Sequence, residues 1–328
     1  MDVDDGVRLA AFLRAGEWEQ HMVAIATGGG AVAAELEVGT AAEVASLIES
    51  VDLGTIDARR VHDALRESVD TARYWQEPDG LDRVAALPEV GAALARVASS
   101  LMSSPATAGW DAAAPSEQWA VDWRSGEDPA PLPTDPAPLL VRWDESQREE
   151  EERSQARSRD PFANWSGTWW SVPQSVLRTQ GRVRDALELV EDSLGWKVAT
   201  IVPVGGAGRT LQIQTAADWA ELCRRYPFEV TASRRHDWFR VTGRDGRWLM
   251  PDWKRVSGDW DAVHLTTLGY LQAATTLITI DAEYASVIGG WAPDSTLWLG
   301  DVAREGVSGR QEWVLENDGW ALGKHVPG

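Results

Sequence analysis

The run Asp128-Pro-Ala-Pro-Leu-Pro-Thr-Asp-Pro-Ala-Pro138 sets the strongest limit on how this chain can fold. Proline near every second position removes backbone donors and fixes φ, so the stretch cannot continue a helix and favours extended polyproline II. It leads into 144–160, dense in Glu and Arg with almost no apolar residue. The mixed signs of charge read as an exposed linker or a solvated helix, not a tail that steers a partner. The expected organisation is therefore α+β in three parts. A mostly helical N-terminal domain with a small hairpin occupies 1–127, a Pro-rich and charged linker 128–160, and a Trp-rich domain 161–328 with an antiparallel or mixed sheet and helices.

Periodicity fills in this outline. Apolar runs at 22–27 and 32–38 around Gly28-Gly-Gly30 suggest a hairpin, and Thr40-Ala-Ala-Glu43 a capping box opening a helix through Val44, Leu47, Ile48 and Val51. Val61, Leu65 and Val69 mark a second helix, and Val90, Leu94, Val97 and Leu101 after Pro88 a third. Beyond the linker, Val183, Leu187, Val190 and Leu194 predict a helix ended by Gly195, and 197–204 a strand turning at Gly205-Gly-Ala-Gly208. Thr215-Ala-Ala-Asp218 opens a short helix. Gly243-Arg-Asp-Gly246, between 238–241 and 248–250, has a hairpin signature. Strand-like pieces follow at 262–265, 277–280, 284–288, 296–299 and 312–315.

Composition excludes several classes. The 328 residues carry a formal charge of −20, which opposes diffuse binding to nucleic acid or to anionic membranes. The longest apolar stretches are too short to span a bilayer, and the acidic start lacks the pattern of a signal peptide. The single cysteine, Cys223, forbids an internal disulfide and a cysteine-based zinc site, and fits a reducing, cytoplasmic setting. The five histidines form no H-E-x-x-H, so no transition metal is expected. Of 19 Trp, 13 lie from Trp165 onward, as core residues or as the lining of a pocket.

Three motif matches fail on context. Gly28-Gly-Gly30-Ala-Val-Ala33 fits a dinucleotide fingerprint in letters, but the helix signal starts only at Thr40. Gly205–Thr210 lacks the lysine and the following helix of a phosphate loop. Pro251-Asp-Trp-Lys254 resembles a nuclease arrangement, but Asp252 precedes a helical pattern and reads as its N-cap.

The segment 224–255 carries nine basic and four acidic residues, a local +5 within the acidic chain. Arg234, Arg235, His236 and Arg240 are the candidate holders of an anion, with Trp238 or Trp260 stacking on a flat moiety. His264 lies on a strand-like run between Val263 and Leu265, which would turn it toward a cleft or water. With Asp261 and Tyr270 it forms a candidate acid–base set. Asp294 reads equally as a turn residue and as a catalyst. The expected function is a metal-independent cytoplasmic enzyme, a transferase by preference, acting on a phosphate- or carboxylate-bearing small molecule. A nucleotide-dependent reaction such as ADP-ribosyl transfer suits the set, although no cofactor is identified. The alternative is a non-catalytic immunity or regulatory protein whose Trp/Arg-rich surface docks a protein partner.

Overall fold

Helical spacing of apolar residues organises the first part of the chain. The computed structural model describes residues 41–51, 57–70, 72–78, 80–125, 130–133, 135–191, 195–317 and 319–325. The hairpin expected over 21–38 and the cap at Thr40 lie outside them. Helices α1 (Ala41–Glu49), α2 (Ala58–Asp70), α3 (Gly80–Ala85) and α4 (Pro88–Met102) follow. Pro88 starts α4, where its missing N–H costs nothing. Val61, Leu65 and Val69 are buried on α2, and Val90, Leu94, Val97 and Leu101 on α4. These side chains share one apolar cluster with Trp219, Trp253, Trp291 and the central strands of a sheet.

That sheet begins with β1 (Glu117–Asp122) and, after α5 (Ala137–Ser154), continues with β2 (Arg178–Gln180). Then come α6 (Val183–Glu188), β3 (Val198–Gly206), β4 (Thr210–Ile213), α7 (Ala216–Arg225), β5 (Pro227–Glu229), α8 (Thr231–Thr242), β6 (Arg247–Pro251) and α9 (Trp253–Asp259). The chain closes with β7 (Ala262–Leu265), α10 (Thr267–Ala273), β8 (Ile278–Thr279), β9 (Tyr284–Ser286), β10 (Ser295–Trp298), β11 (Ala303–Glu305), β12 (Gln311–Glu316) and β13 (Gly319–His325). The large sheet has the order β13-β12-β3-β1-β2-β10-β7-β4, with β11 also on β3; a smaller one has the order β5-β6-β9-β8. Among the described strands, β4–β7 and β6–β9 pair in parallel. The α+β expectation therefore holds, with a mixed sheet.

Several local signals are realised. Thr215 and Asp218 form a reciprocal capping box on α7, and Asp252 caps α9 by accepting the Arg255 N–H. Others are corrected. The glycine turn after β3 does not fold β4 back onto it; β4 crosses to pair in parallel with β7. The helix expected to run to Gly195 ends after Glu188. The hairpin around Gly243 is instead the end of α8, with Gly243 in the left-handed conformation (φ 70°) that closes a helix.

Of the two readings of the charged stretch after the prolines, the helix is realised, but it is packed along one face and not fully solvated. α5 starts at Ala137, inside the Pro-rich run, and runs for 18 residues into the charged stretch, with Leu140, Asp144, Gln147 and Ser154 buried along one face. That face is mostly polar, so a search for apolar periodicity misses it. Its groups are matched by neighbours: Arg148 pairs with Asp144 at 2.8 Å, and both Glu151 oxygens accept N–H groups of Ala232 and Ser233 at the start of α8. The negative carboxylate thus sits where the α8 dipole and its orphan donors favour it.

Close packing of α10 on β4 gives a sign-reversed test of helix propensity. A β-carbon on Gly269 would lie 2.3 Å from the Ile213 carbonyl oxygen, whereas one on Gly258 of α9 meets nothing within 4 Å. Gly258→Ala should stabilise by about 0.5–1 kcal/mol, and Gly269→Ala should destabilise by about 1–3 kcal/mol despite the better helix former. Urea unfolding of the two variants checks both signs.

Candidate functional site

Strand β7 is the innermost chemistry-bearing element. It pairs with β10 on one side and β4 on the other, and all four of its residues are buried. The expectation that His264 turns toward a cleft or water is thereby corrected: the sheet is covered on both faces, and His264 is 0% exposed. Register aligns Thr179, Thr296, His264 and Gln212 across four strands, and directly opposed residues project to the same face. Thr179 donates to Gln118 Oε1 at 2.7 Å and accepts from Trp298 Nε1 at 2.8 Å. His264 Nδ1 and Thr296 Oγ1 are hydrogen-bonded at 2.9 Å.

The remaining ring nitrogen, His264 Nε2, lies 3.6 Å from Asp294 Oδ1 and has no hydrogen-bond partner. Asp294 sits just before β10 with a φ of 50°, a left-handed conformation that side-chain-bearing residues adopt at a cost. Its other oxygen accepts the Gly181 N–H at 3.1 Å. Burial, assisted by the charge of Asp185, raises the Asp294 carboxyl to about 6. Burial lowers His264 to about 4. The result is a carboxyl that exchanges its proton near neutrality, beside an imidazole that stays neutral. The usual order of the two groups is thereby inverted, which makes the carboxyl the group of the pair that exchanges a proton near neutrality.

A second layer flanks the pair. Asp185, in the first turn of α6, is buried, and burial raises its carboxyl above the usual range. It lies 3.6 Å from His62 Nδ1 of α2, whose Nε2 lies 2.6 Å from Glu188 Oε2. Arg182 acts on both Asp185 and Asp294 as the nearby positive charge.

The expected partners of His264 are placed elsewhere. Asp261 accepts the Arg209 N–H at 2.7 Å, and Tyr270 bonds Tyr74 through the two hydroxyls at 3.0 Å, fully buried. No hydrogen bond or ion pair joins His264, Asp261 and Tyr270 among the described residues. Sequence reasoning named His264 but missed Thr296 and Asp185, and left Asp294 undecided. The readable signal was Pro293-Asp294-Ser295, a carboxylate at a turn leading into a buried strand.

The basic segment is corrected more fully. A strand would have split its side chains between two faces; α8 instead turns them onto the passing chain at 158–170. Buried Arg234 donates to Gln147 and to the Trp170 carbonyl at 3.1 Å, Arg235 to the Ser158 carbonyl at 3.1 Å, and Arg240 to Asp237 at 2.9 Å and to the Trp165 carbonyl. Burial lowers Arg234 to about 10. Trp238 is buried with its N–H on the Trp169 carbonyl, so it packs the interior and offers no stacking face. His236 is 1% exposed, and burial lowers it below the usual imidazole range. Trp260 ends α9, half-buried against the main core. Arg234, Arg240 and Trp238 therefore fasten chain to helix, and half-buried Arg235 does the same through the Ser158 carbonyl. Among the described residues, no group of three or more His, Cys, Asp or Glu side chains could hold a metal ion, and no helix is long and apolar enough to cross a membrane.

Burial of the pair makes stability depend on pH in two opposed ways. His264 binds its proton less readily in the folded chain, so stability falls as pH drops from about 6.5 to about 4, by about 3 kcal/mol at full protonation. Asp294 binds its proton more readily when folded, so it contributes a gain as pH falls from about 6 toward 4. His264→Gln should therefore flatten the acid loss, and Asp294→Asn should steepen it while raising stability at pH 7.5. Thermal melts of both variants between pH 4 and 8 check the two slopes.

Comparison with protein-family models, with curated proteins and with solved structures finds no match to this chain.

Proposed function

We propose that the chain is a cytoplasmic, metal-independent enzyme that moves a proton through Asp294 while transferring a group of a small polar substrate. The observation that carries this reading is the Asp294–His264 pair: a strained, partly exposed carboxyl near pKa 6 held 3.6 Å from a buried neutral imidazole. A carboxyl with that acidity can donate a proton to a leaving group and recover it at neutral pH. Thr296 fixes the imidazole ring, and Gly181 N–H fixes the carboxyl, so neither group has to reorganise during the step. Arg182, beside the carboxyls, takes the place of Arg234 and Arg240 as the cation that would draw in a phosphate or carboxylate.

ADP-ribosyl transfer remains the reaction to assay first, since it joins an anionic nucleotide to a step needing an acid–base group. The chain is incubated with NAD⁺, and separately with a metabolite extract, and nicotinamide release and metabolite loss are followed by chromatography and mass spectrometry. Asp294→Asn should lower turnover by about 10²–10⁴-fold with the fold intact. Equal turnover by the wild type and Asp294→Asn would exclude the proposed role.

A second reading rests on a different observation. Trp119, Trp123, Trp313 and Trp320 are only partly buried where they cover Leu187, Ala199 and Ile201, an aromatic face of the kind that anchors protein partners. A chain that consumes no metabolite, yet loses a protein complex on Trp320→Ser, would be an interaction protein.

A further inference from the structure

The large sheet splits where β1 leaves β2. β1 pairs with β3 through six registers, Glu117 to Asp122, but with β2 only at Trp119–Gln180. Past that point the two diverge around a cleft of about 580 Å³, within the range of small-molecule sites. Strand ends that part in this way leave one main-chain edge of β1 facing the cleft, with alternating N–H and C=O groups.

The lining selects for chemistry. Trp123 and Trp196 both border the cleft and lie stacked, with centroids 4.7 Å apart and planes 17° apart. Leu132 and Leu177 add apolar surface. Asp122 and Arg124 match each other: Asp122 accepts the Arg124 Nε and Nη2 donors at 2.9 and 3.0 Å and the Ala130 N–H at 3.1 Å, which together hold its carboxyl below the usual range. Arg178 gives its two terminal guanidinium nitrogens to the carbonyls of Gly290 and Pro173, while its Nε is buried without a hydrogen-bond partner. A phosphate or carboxylate would have to compete with those partners. A pyranose would need donors and acceptors around its whole perimeter, more than the exposed Gln174 and Ser175 supply. A flat ring, apolar on its faces and polar at one edge, fits an indole pair beside an open strand edge.

We propose that this cleft binds a neutral heteroaromatic ring of the nucleobase class, stacked on the Trp123–Trp196 pair and read along its edge by the β1 main chain. The site is separate from Asp294, which lies by Gly181 at the other end of β1, so the two assignments fail independently.

The test uses the full chain with adenosine and inosine as probes, by saturation-transfer NMR and calorimetry, with maltose as the contrasting neutral ligand. Both nucleosides should bind and maltose should not. Trp196→Ala should weaken nucleoside binding by about tenfold or more, the value of one lost stacking contact. Ser175→Trp fills the cleft from an exposed position without removing any packed side chain, and should abolish binding even if Trp196→Ala proves poorly folded. No saturation transfer at millimolar nucleoside, binding unaffected by Ser175→Trp, or preference for maltose would each overturn the proposal.

Discussion

Coverage of the central strands on both faces is the constraint on which the chemistry of this chain depends. A polar side chain there has no water to turn to, and an unmet donor or acceptor costs a large part of its hydration free energy. The row Thr179–Thr296–His264–Gln212 meets that demand only in part, through Gln118, Trp298 and the His264–Thr296 bond, and leaves His264 Nε2 and Gln212 Oε1 buried without a hydrogen-bond partner. The same coverage makes imidazolium expensive and lets a carboxylate next to it keep its proton to higher pH. The low basicity of His264 is thus a consequence of where the sheet places it, and the raised pKa of Asp294 one of burial assisted by the Asp185 charge.

A second use of buried polarity holds the two halves of the chain's surface together. α5 offers Gln147, Glu150 and Glu151 along one face, and α8 answers with its N-terminal N–H groups and Arg234. From its other side α8 fastens 158–170 through Arg235, Asp237, Trp238 and Arg240, with Asp237 accepting the Gly167 N–H at 3.0 Å. Carbonyl oxygens absorb the guanidinium donors. A local excess of arginine can therefore report an irregular segment whose main-chain carbonyls lack a ladder, as readily as it reports an anionic ligand.

This explains what the sequence could and could not reveal. α2 and α4 were legible because Val61, Leu65, Val69 and Val90, Leu94, Val97, Leu101 repeat at helical spacing and are buried at that spacing. The caps at Thr215 and Asp252 were legible because capping is a contact between near neighbours. For α5 a helix was one of two readings, but its packing was not legible, since past Leu140 the buried stripe is Asp, Gln and Ser, and its match lies about eighty residues away on α8. For α8, Trp238 and Val241 suggested a strand, while the Glu151 carboxylate that stabilises its first turn is invisible locally. His264 was found from its strand, but its partners Thr296 and Asp294 come from a strand about thirty residues later, and pairing across that separation has no local signature.

Asp294 joins the fold argument to the functional one. A turn into β10 with φ near 50° would be met at less cost by glycine, and the bond to Gly181 N–H could be accepted as well by the amide oxygen of asparagine. Neither would place a second acidic group beside Asp185 or a charge beside an unsatisfied imidazole nitrogen. A residue that serves only the turn gains nothing from these penalties, each of which weakens the folded state at neutral pH. They become useful only if the proton on that carboxyl is exchanged with something that reaches its exposed side. The side chain is 23% exposed, whereas His264 behind it is closed off, so any such exchange has to occur through Asp294 first. His264, kept neutral by its burial and fixed in orientation by Thr296, stands behind the carboxyl as a buried polar wall, not as the group that takes the proton.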